Sequence, residues 1–349
     1  MKPPKVSVCI PAYNRASVLP ALLDSILTQD YDDYDIVICE DCSPQREQIR
    51  TTVERYAQQH PGRIHYFEND KNLGYDGNIR NLVEQADGEY CLFMGNDDLM
   101  CASALARVAT ALERHPNIGV VLRSYAAFEG TPDNVVQTFR YFDREIFFPA
   151  GERTIGTVFR RSVVIPGMVV QRAAARKYAT DRFDGILLYQ LYLVASILVE
   201  MNAVYLPDVI VLYRNGGIPD FGNSEAERGK FVPTEHTPES SLHFMQGMLD
   251  IARHVEQTRS VLIYKAILRD IGNYSYPILA IQADKPLPIF LRYYRGLSRM
   301  GLWRVPLFHV YLVLILLLGT RRLERLINWV KRRLGHTPAI GKVYQGEGR

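Results

Sequence analysis

Two adjacent carboxylates end an apolar run of this sequence. Residues 89–98 read EYCLFMGNDD, so Asp97 and Asp98 directly follow a stretch typical of a buried strand. Neighbouring carboxylates repel each other, and each resists leaving water. Oxygen ligands from paired acids suit Mg²⁺ or Mn²⁺, which keeps positions open for substrate phosphates and can act as a Lewis acid on a leaving group. We therefore predict a metal site at Asp97 and Asp98. The alternative is a solvated turn in which Asp98 caps the next helix.

Polar clusters also follow three other strand-like runs. Glu40 and Asp41 come after the second run, and residues 69–72 come after the third. The first run is followed by Pro11, Ala12, Tyr13 and Asn14. Ligands of open α/β sheets bind at this carboxyl edge of the strands, so Glu40 and Asp41 are candidates to contact a base or a ribose; the alternative is an exposed turn. No GxxxxGK[ST] or GxGxxG motif follows the first strand, which argues against P-loop and Rossmann dinucleotide chemistry.

Alternating strands and helices in the first third of the chain must position these clusters. The patterns predict strands over 5–10, 34–39, 63–67, 89–94 and 118–122, with helices over 16–29, 45–60, 75–86 and 99–114. Helices of this length between strands indicate βαβ units, and hence an α/β fold with a mostly parallel central sheet flanked by helices.

The rest of the chain is less regular. Its patterns predict a strand over 163–170, a buried helix over 186–200 and a polar, Gly- and Pro-rich loop over 214–241. A loop of that length in a compact domain is usually a lid or disordered. Helical patterns dominate from residue 242 onward.

Four motifs occurring together resemble family 2 glycosyltransferases. They are VCIPAYNR at 8–15, EDCS at 40–43, NLGYDGNIRN at 72–81 and GNDD at 95–98. The resemblance covers roughly the first half of the chain and implies the GT-A fold. The FDG sequence before YQLYL is similar to bacterial surface-polysaccharide members of the abequosyltransferase type.

The resemblance implies roles for particular residues. The nucleoside pocket would be lined by Pro11, Ala12, Tyr13 and Asn14, with Asp41 and Glu40 on the base or ribose. The nucleotide-sugar donor would also meet Asn72, Gly74, Arg80 and Asn96, and Asp97 with Asp98 would match the acidic metal motif. Members often have Asp-Ser-Asp-Asp where this chain has Gly95-Asn-Asp-Asp, which puts contacts to the donor sugar in doubt. Arg214 is a candidate for the diphosphate, because guanidinium suits bidentate phosphate binding; the alternative is a surface arginine.

An inverting transfer also needs a general base for the acceptor hydroxyl. The family places an Asp shortly before a helix in its second half, and Asp184 fits that position, with Asp181 as its competitor. The alternative is that Asp184 caps a helix that begins at Gly185.

Charge is concentrated near the end of the chain. The 349 residues carry a net charge of +3, yet 285–334 contains eleven Lys or Arg residues and one acid, Glu324. Residues 305–320 have no formal charge but are shorter than the roughly 20 residues of a spanning helix. Residues 321–334 place apolar and basic side chains at the spacing of an interfacial helix. We expect a peripheral or monotopic protein at the cytoplasmic face of the membrane, rather than a buried helix, a dimer contact or a nucleic-acid surface.

These observations together predict a metal-dependent inverting glycosyltransferase of the hexosyl or deoxyhexosyl type. Its acceptor would be a lipid-linked glycan in O-antigen or capsule synthesis. The alternatives are a nucleotidyltransferase and a catalytically silent sugar-nucleotide or polysaccharide-binding protein, and a homo-oligomer is left open. The predicted organisation is a GT-A domain over 1–240, with a nucleotide-binding half (1–122) and an acceptor half (123–240), and a helical membrane-associating extension over 241–349.

Overall fold

The computed structural model describes residues 3–216 and 220–334, and one large sheet lies at its centre. The strands are β1 Val6–Ala12, β2 Tyr34–Glu40, β3 Ile64–Glu68, β4 Tyr90–Phe93, β5 Leu99–Met100, β6 Ile118–Phe128, β7 Val135–Phe139, β8 Ile146–Phe148, β9 Met168–Gln171 and β10 Asn202–Arg214. The main path of the sheet runs β3-β2-β1-β4-β9-β6-β10-β5, while β7 pairs with β6 and β8 with β10.

Thirteen α-helices accompany the sheet within the described ranges. They are α1 Leu19–Leu27, α2 Arg46–Gln59, α3 Gly74–Gln85, α4 Ala104–Arg114, α5 Glu152–Val158, α6 Arg172–Lys177, α7 Tyr189–Ile197, α8 Pro238–Arg259, α9 Tyr264–Asn273, α10 Tyr276–Ala280, α11 Leu287–Arg299, α12 Pro306–Leu318 and α13 Thr320–Leu334. Short 3₁₀ turns occupy 159–162 and 302–304.

The sheet is mixed, so the prediction of a mostly parallel sheet is wrong. Strands β3, β2, β1 and β4 are parallel neighbours, but β9 lies antiparallel between β4 and β6. Parallel pairing needs a long crossover connection, usually a helix. Residues 129–134 are too few for a crossover, so β7 returns antiparallel on β6.

The strand and helix predictions hold best in the parallel half. The four strands predicted there are present, as is β6 beyond β9, and β1, β2 and β4 are buried along their whole length apart from Pro11, as expected when helices cover both faces. The predicted helix over 99–114 begins only at Ala104, because 99–100 form β5. The predicted strand over 163–170 is reduced to β9, which begins at Met168.

Two apolar clusters cover the two faces of the sheet. One combines alternate β1 residues such as Val8 with α1, α2 and α4. The other combines Cys9 of β1 with α3 and α7, and it continues through α8, α9 and α11 to Phe308 of α12 and Leu323 of α13. The helices that follow residue 237 therefore pack on the same core as the sheet. A domain boundary between 240 and 241 stays a prediction.

Candidate active site

A cleft of about 570 Å³ opens at the carboxyl ends of β1, β2, β4 and β10. This is the edge at which ligands bind in α/β sheets. Asp220, Phe221 and Glu227 of the loop before α8 close one side of the cleft. Most of the sequence-predicted site residues line it, namely Pro11, Tyr13, Asp41, Asn72, Gly74, Asn96, Asp97, Asp98 and Arg214.

Asp41 fixes the start of α3 beside the cleft. Its carboxylate accepts the side-chain N–H of Asn69 at 2.7 Å and the backbone N–H groups of Leu73 and Gly74 at 2.8 and 2.9 Å. Burial raises the pKa of Asp41 to about 6, although these hydrogen bonds favour its charged form. Gly74 has φ +77, and a Cβ there would lie 2.5 Å from the Ser224 hydroxyl oxygen, so this position requires glycine.

The loop between β4 and β5 presents the acidic pair. Asp98 is almost fully buried and accepts the backbone N–H of Arg214 at 2.9 Å. Burial raises the pKa of Asp98 to about 8, and the neighbouring charge of Asp97 adds to that rise. The Asp97 carboxylate contacts Nη1 of Arg15 at 2.9 Å. Two like charges are thus held at one edge of the cleft, and both are close to arginines.

Gly95 explains why this chain lacks the first acid of the usual motif. A Cβ at position 95 would lie 2.4 Å from Oδ2 of Asp98 and 3.4 Å from Oδ1 of Asp97. Real Cβ atoms do not approach an oxygen so closely, and the Asp98 carboxylate has little room to move because it is buried. The Asp98 carboxylate occupies the space that a side chain at position 95 would need.

The acidic pair fits a divalent cation only as a two-carboxylate site. Within residues 3–216 and 220–334 no group of three or more His, Cys, Asp or Glu side chains could hold a metal ion. Mg²⁺ is commonly bound through one or two carboxylates, with water and substrate phosphates completing its shell. Burial, and after it the charge of Asp97, raises the pKa of Asp98, and a bound cation would favour the charged form of this carboxyl group. The donor set is therefore suitable, provided that phosphate oxygens complete it.

Three predicted donor-site residues do not line the cleft. Glu40 is fully buried and accepts the backbone N–H of Ser43 at 2.7 Å and Nε of Arg46 at 2.6 Å, so it stabilises the turn after β2. Ala12 is buried at the end of β1. Asn14 accepts Nδ2 of Asn96 at its backbone oxygen, at 3.0 Å, and this contact ties the loop after β1 to the acidic loop.

Asp184 and Arg80 are also not among the lining residues of the cleft, and the roles predicted for them stay predictions. Arg80 Nη1 contacts Oδ1 of Asp184 at 2.6 Å, and Nη2 contacts Oδ2 at 2.8 Å. Arg80 lines a separate surface pocket with Asn69 and Gly77. Nor does Asp184 cap a helix, because α7 begins only at Tyr189 and its N-cap residue has no side-chain hydrogen bond. The alternative base, Asp181, is exposed and is also absent from the cleft lining.

Asp76 was missed by the sequence reasoning and organises the turn before α7. Its two carboxylate oxygens accept the five backbone N–H groups of residues 185–189, at 2.8–3.0 Å. Leu187 within this turn has φ +63 and lines the cleft. A left-handed leucine is unfavourable, so the five hydrogen bonds compensate for that strain. The only available signal was that Asp76 lies inside the motif at 72–81.

Glu227 was also missed, and it fastens the loop before α8 to the cleft. Its oxygens accept the backbone N–H of Tyr75 at 2.8 Å and that of Gly222 at 2.9 Å. The rings of Tyr75 and Phe221 pack edge to face with centroids 5.9 Å apart. Residues 220–237 contain no helix or longer strand, in agreement with the loop prediction, but they are packed against α3.

Comparison with known proteins decides the family. Residues 7–178 match the family model described as Glycosyl transferase family 2. Residues 7–178 of this chain belong to glycosyl transferase family 2. The predicted resemblance is therefore confirmed.

Two curated relatives are sugar transferases according to their names. Abequosyltransferase RfbV of Salmonella typhimurium is 34% identical over 113 residues, which are 32% of this chain and 34% of the relative. The GalNAc(5)-diNAcBac-PP-undecaprenol beta-1,3-glucosyltransferase of Campylobacter jejuni is 35% identical over 104 residues, which are 30% of this chain and 33% of the relative. The chain thus spans about a third of the length of the curated relatives that it matches.

Solved structures support the fold over nearly the whole chain. TarS 1–349 of Staphylococcus aureus in complex with UDP-GlcNAc has a TM-score of 0.56 at 16% identity and covers 99% of this chain and 97% of that one. The Pyrobaculum calidifontis mannosyltransferase PcManGT with GDP-Man and Mn²⁺ has a TM-score of 0.50 at 18% identity, over 91% and 88%. These likenesses confirm the α/β GT-A-like fold of the family 2 chain.

Proposed function

We propose that this family 2 chain transfers a sugar, with inversion, from a nucleotide-sugar donor to an acceptor hydroxyl. The observation that carries the proposal is that Tyr13, Asp41, the acidic pair and Arg214 line one cleft at the carboxyl edge of the sheet. The glycosyltransferase names of the relatives support it, as does the UDP-GlcNAc complex of TarS. The chemistry separates into donor binding, departure of the nucleoside diphosphate and removal of the acceptor proton.

Donor binding would use the two sides of the cleft differently. Tyr13 and Asp41 lie where the nucleoside would bind, and Asn72 with Gly74 lies next to them at the start of α3. Asp97, Asp98 and Arg214 lie where the diphosphate would bind. A bound Mn²⁺ or Mg²⁺ would supply Lewis-acid stabilisation of the leaving diphosphate. Arg214 reaches this site with its Nε hydrogen-bonded to the backbone oxygen of Asp97 at 2.9 Å.

The transfer forms a bond between the acceptor oxygen and the anomeric carbon, and it breaks the bond from that carbon to the phosphate oxygen. The acceptor proton must pass to a base. Four acids of the cleft already accept hydrogen bonds from protein N–H groups, namely Asp41, Asp97, Asp98 and Glu227. Asp220 also lines the cleft, and its nearest arginine contact is Nε of Arg15 at 4.0 Å. Asp220 is therefore the first alternative to Asp184 as the base.

The donor is identified by binding. The full chain is heated with UDP, GDP, CDP or dTDP, each with and without Mn²⁺, because a bound ligand raises stability by mass action. We expect one nucleotide to raise the Tm, and to raise it more with Mn²⁺. If folded protein shows no shift with any of the four, a silent glycan-binding role replaces the transferase. Release of pyrophosphate in place of a nucleoside diphosphate would indicate a nucleotidyltransferase.

We also propose that the acceptor is a lipid-linked glycan at the cytoplasmic face of the membrane, and that 241–349 serves 1–240 as a membrane-associating extension. None of the described helices has the length and apolar character needed to span a bilayer. Leu317 of α12 is 74% exposed and Trp329 of α13 is 52% exposed. The arginines Arg321, Arg322 and Arg325 are exposed between these two residues, as in an interfacial helix.

The membrane proposal is tested with point variants, because Phe308 and Leu323 belong to the core and deletion of the tail would damage it. Leu317→Glu and Trp329→Glu should each reduce binding to phosphatidylglycerol vesicles. Val135→Glu, at an exposed position on β7, is the matched control. If both tail variants bind vesicles as tightly as the unmodified chain, the anchor lies elsewhere or does not exist.

A further inference from the structure

Arg15 lies in the cleft in contact with one acid of the pair. Its Nη1 is 2.9 Å from Oδ2 of Asp97, and its side chain is 31% exposed. Arg214 reaches the same aspartate differently, because its Nε donates to the backbone oxygen. This edge of the cleft therefore carries two neighbouring acids. The Asp97 carboxylate is paired with Arg15, and the Asp98 side chain is buried.

Hydrogen bonds hold the backbone on both sides of Arg15. Asn14 and Arg15 are both left-handed, with φ of 54° and 61°. Asn96 Nδ2 donates to the backbone oxygens of Asn14 and Tyr13 at 3.0 and 3.3 Å, and the backbone N–H of Ala16 donates to Oε1 of Gln45 at 2.9 Å. Two left-handed residues in succession persist only where such contacts hold them.

We infer that Arg15 is an exchangeable counter-ion, which neutralises Asp97 while the cleft lacks a divalent cation and turns to the donor diphosphate once a cation binds. The inference rests on the proposed function. The physical reason is competition, because the Asp97 oxygen that binds the guanidinium is one that a cation would need. A guanidinium is also well suited to bind phosphate oxygens in pairs. A partly exposed arginine on a fixed backbone can make that change without refolding the loop.

The inference predicts effects of opposite sign from one substitution. Arg15→Gln should bind Mn²⁺ alone about five-fold more tightly, since the cation no longer has to displace an ion pair worth about 1 kcal/mol. The same variant, saturated with Mn²⁺, should bind the nucleoside diphosphate about ten-fold or more weakly, because a charge-assisted hydrogen bond to the phosphate is lost. Loss of structure would weaken both ligands.

Binding is measured on the full chain by Mn²⁺ electron paramagnetic resonance and by calorimetry with UDP, GDP, CDP and dTDP, so that no readout depends on turnover. Arg15→Lys keeps the charge and should leave the Mn²⁺ constant close to that of the unmodified chain. Arg214→Gln should weaken the nucleotide without tightening Mn²⁺. Arg107→Gln, at an exposed pair with Asp208, should change neither constant.

Each result has a distinct meaning. Tighter binding of Mn²⁺ together with weaker binding of the nucleotide in Arg15→Gln supports the exchange. Weakening of both ligands, or no change in either, overturns it while leaving the proposed function in place. If the unmodified chain itself binds neither Mn²⁺ nor any of the four nucleotides, the proposed function fails, and the inference fails with it.

Discussion

The acidic loop at 95–98 and the turn at 184–189 both contain or contact buried carboxylates, but they accommodate the charge in different ways. Asp76 satisfies five backbone N–H groups of the turn. Asp98 has the backbone N–H of Arg214 on one oxygen and a second carboxylate beside it, and its pKa rises to about 8. A carboxylate surrounded by N–H groups stabilises the fold, whereas we propose that one crowded by another acid in a cleft serves to bind a cation.

The largest expected effect is on activity, at the acidic loop. Asp97→Asn and Asp98→Asn should each lower kcat by about 10²–10³, the range seen when one electrostatic contact to a developing charge is removed. Without metal, the Tm of Asp98→Asn should not fall, because like-charge crowding is relieved, and that of Asp97→Asn should change little, because the same relief offsets the loss of the ion pair with Arg15. Activity assays with Mn²⁺ and thermal unfolding in EDTA measure the two quantities. A large decrease in Tm would show that the acidic pair stabilises the fold, as Asp76 does.

The opposite pattern is expected at the turn. Asp76→Ala should lower the free energy of unfolding by about 3 kcal/mol or more, since several buried N–H groups lose their acceptor. Asp76→Asn keeps one acceptor oxygen and should cost less. Urea unfolding provides the comparison. Equal stability of Asp76→Ala and the unmodified chain would show that the five hydrogen bonds contribute little.

The sequence pattern was sufficient for the parallel half of the sheet and for the sheet edge at which the cleft lies. Strands β1, β2 and β4 are local apolar runs, and parallel strands bring their carboxyl ends to one edge, so Tyr13, Asp41 and Asp97 were placed correctly. In the rest of the sheet, β5 and β8 were missed because they are only two and three residues long. Such short strands exist only through pairing with β10, which no local pattern reveals.

Asp184 also tests the comparison between the acidic loop and the turn at 184–189. Both of its oxygens bind Arg80, so Asp184→Asn and Arg80→Gln should each cost about 1–2 kcal/mol of stability, and the double variant should cost less than their sum. If Asp184 serves only this ion pair, the kcat of Asp184→Asn should fall by less than about ten-fold. A general base would instead lose about 10²–10⁴, and this is the loss expected of Asp220→Asn if Asp220 takes the proton.

The smallest predicted effect is a dependence of stability on pH. The pKa of Asp98 is raised in the folded chain, so its contribution to stability is fully present below the unfolded pKa near 4 and is lost as the pH rises towards 8. In EDTA the Tm should therefore decline across this window, and Asp98→Asn should decline less. Mn²⁺ should stabilise the chain more at pH 8 than at pH 6. A Tm in EDTA that rises with pH over the whole window would contradict the raised pKa.

By itself the sequence determined the family, the alternation of β and α elements and the edge of the sheet at which polar residues collect. These depend on local spacing, and a strand end is a local property. Only the tertiary structure decided which acidic side chains line the cleft and which form contacts elsewhere. Asp76 accepts hydrogen bonds from residues 109 or more positions away in the sequence, and Glu227 accepts one from Tyr75 across 152 positions. Asp184 pairs with Arg80 across 104 positions. A carboxylate takes its role from the N–H groups and charges that folding brings to it, and those come from distant parts of the chain.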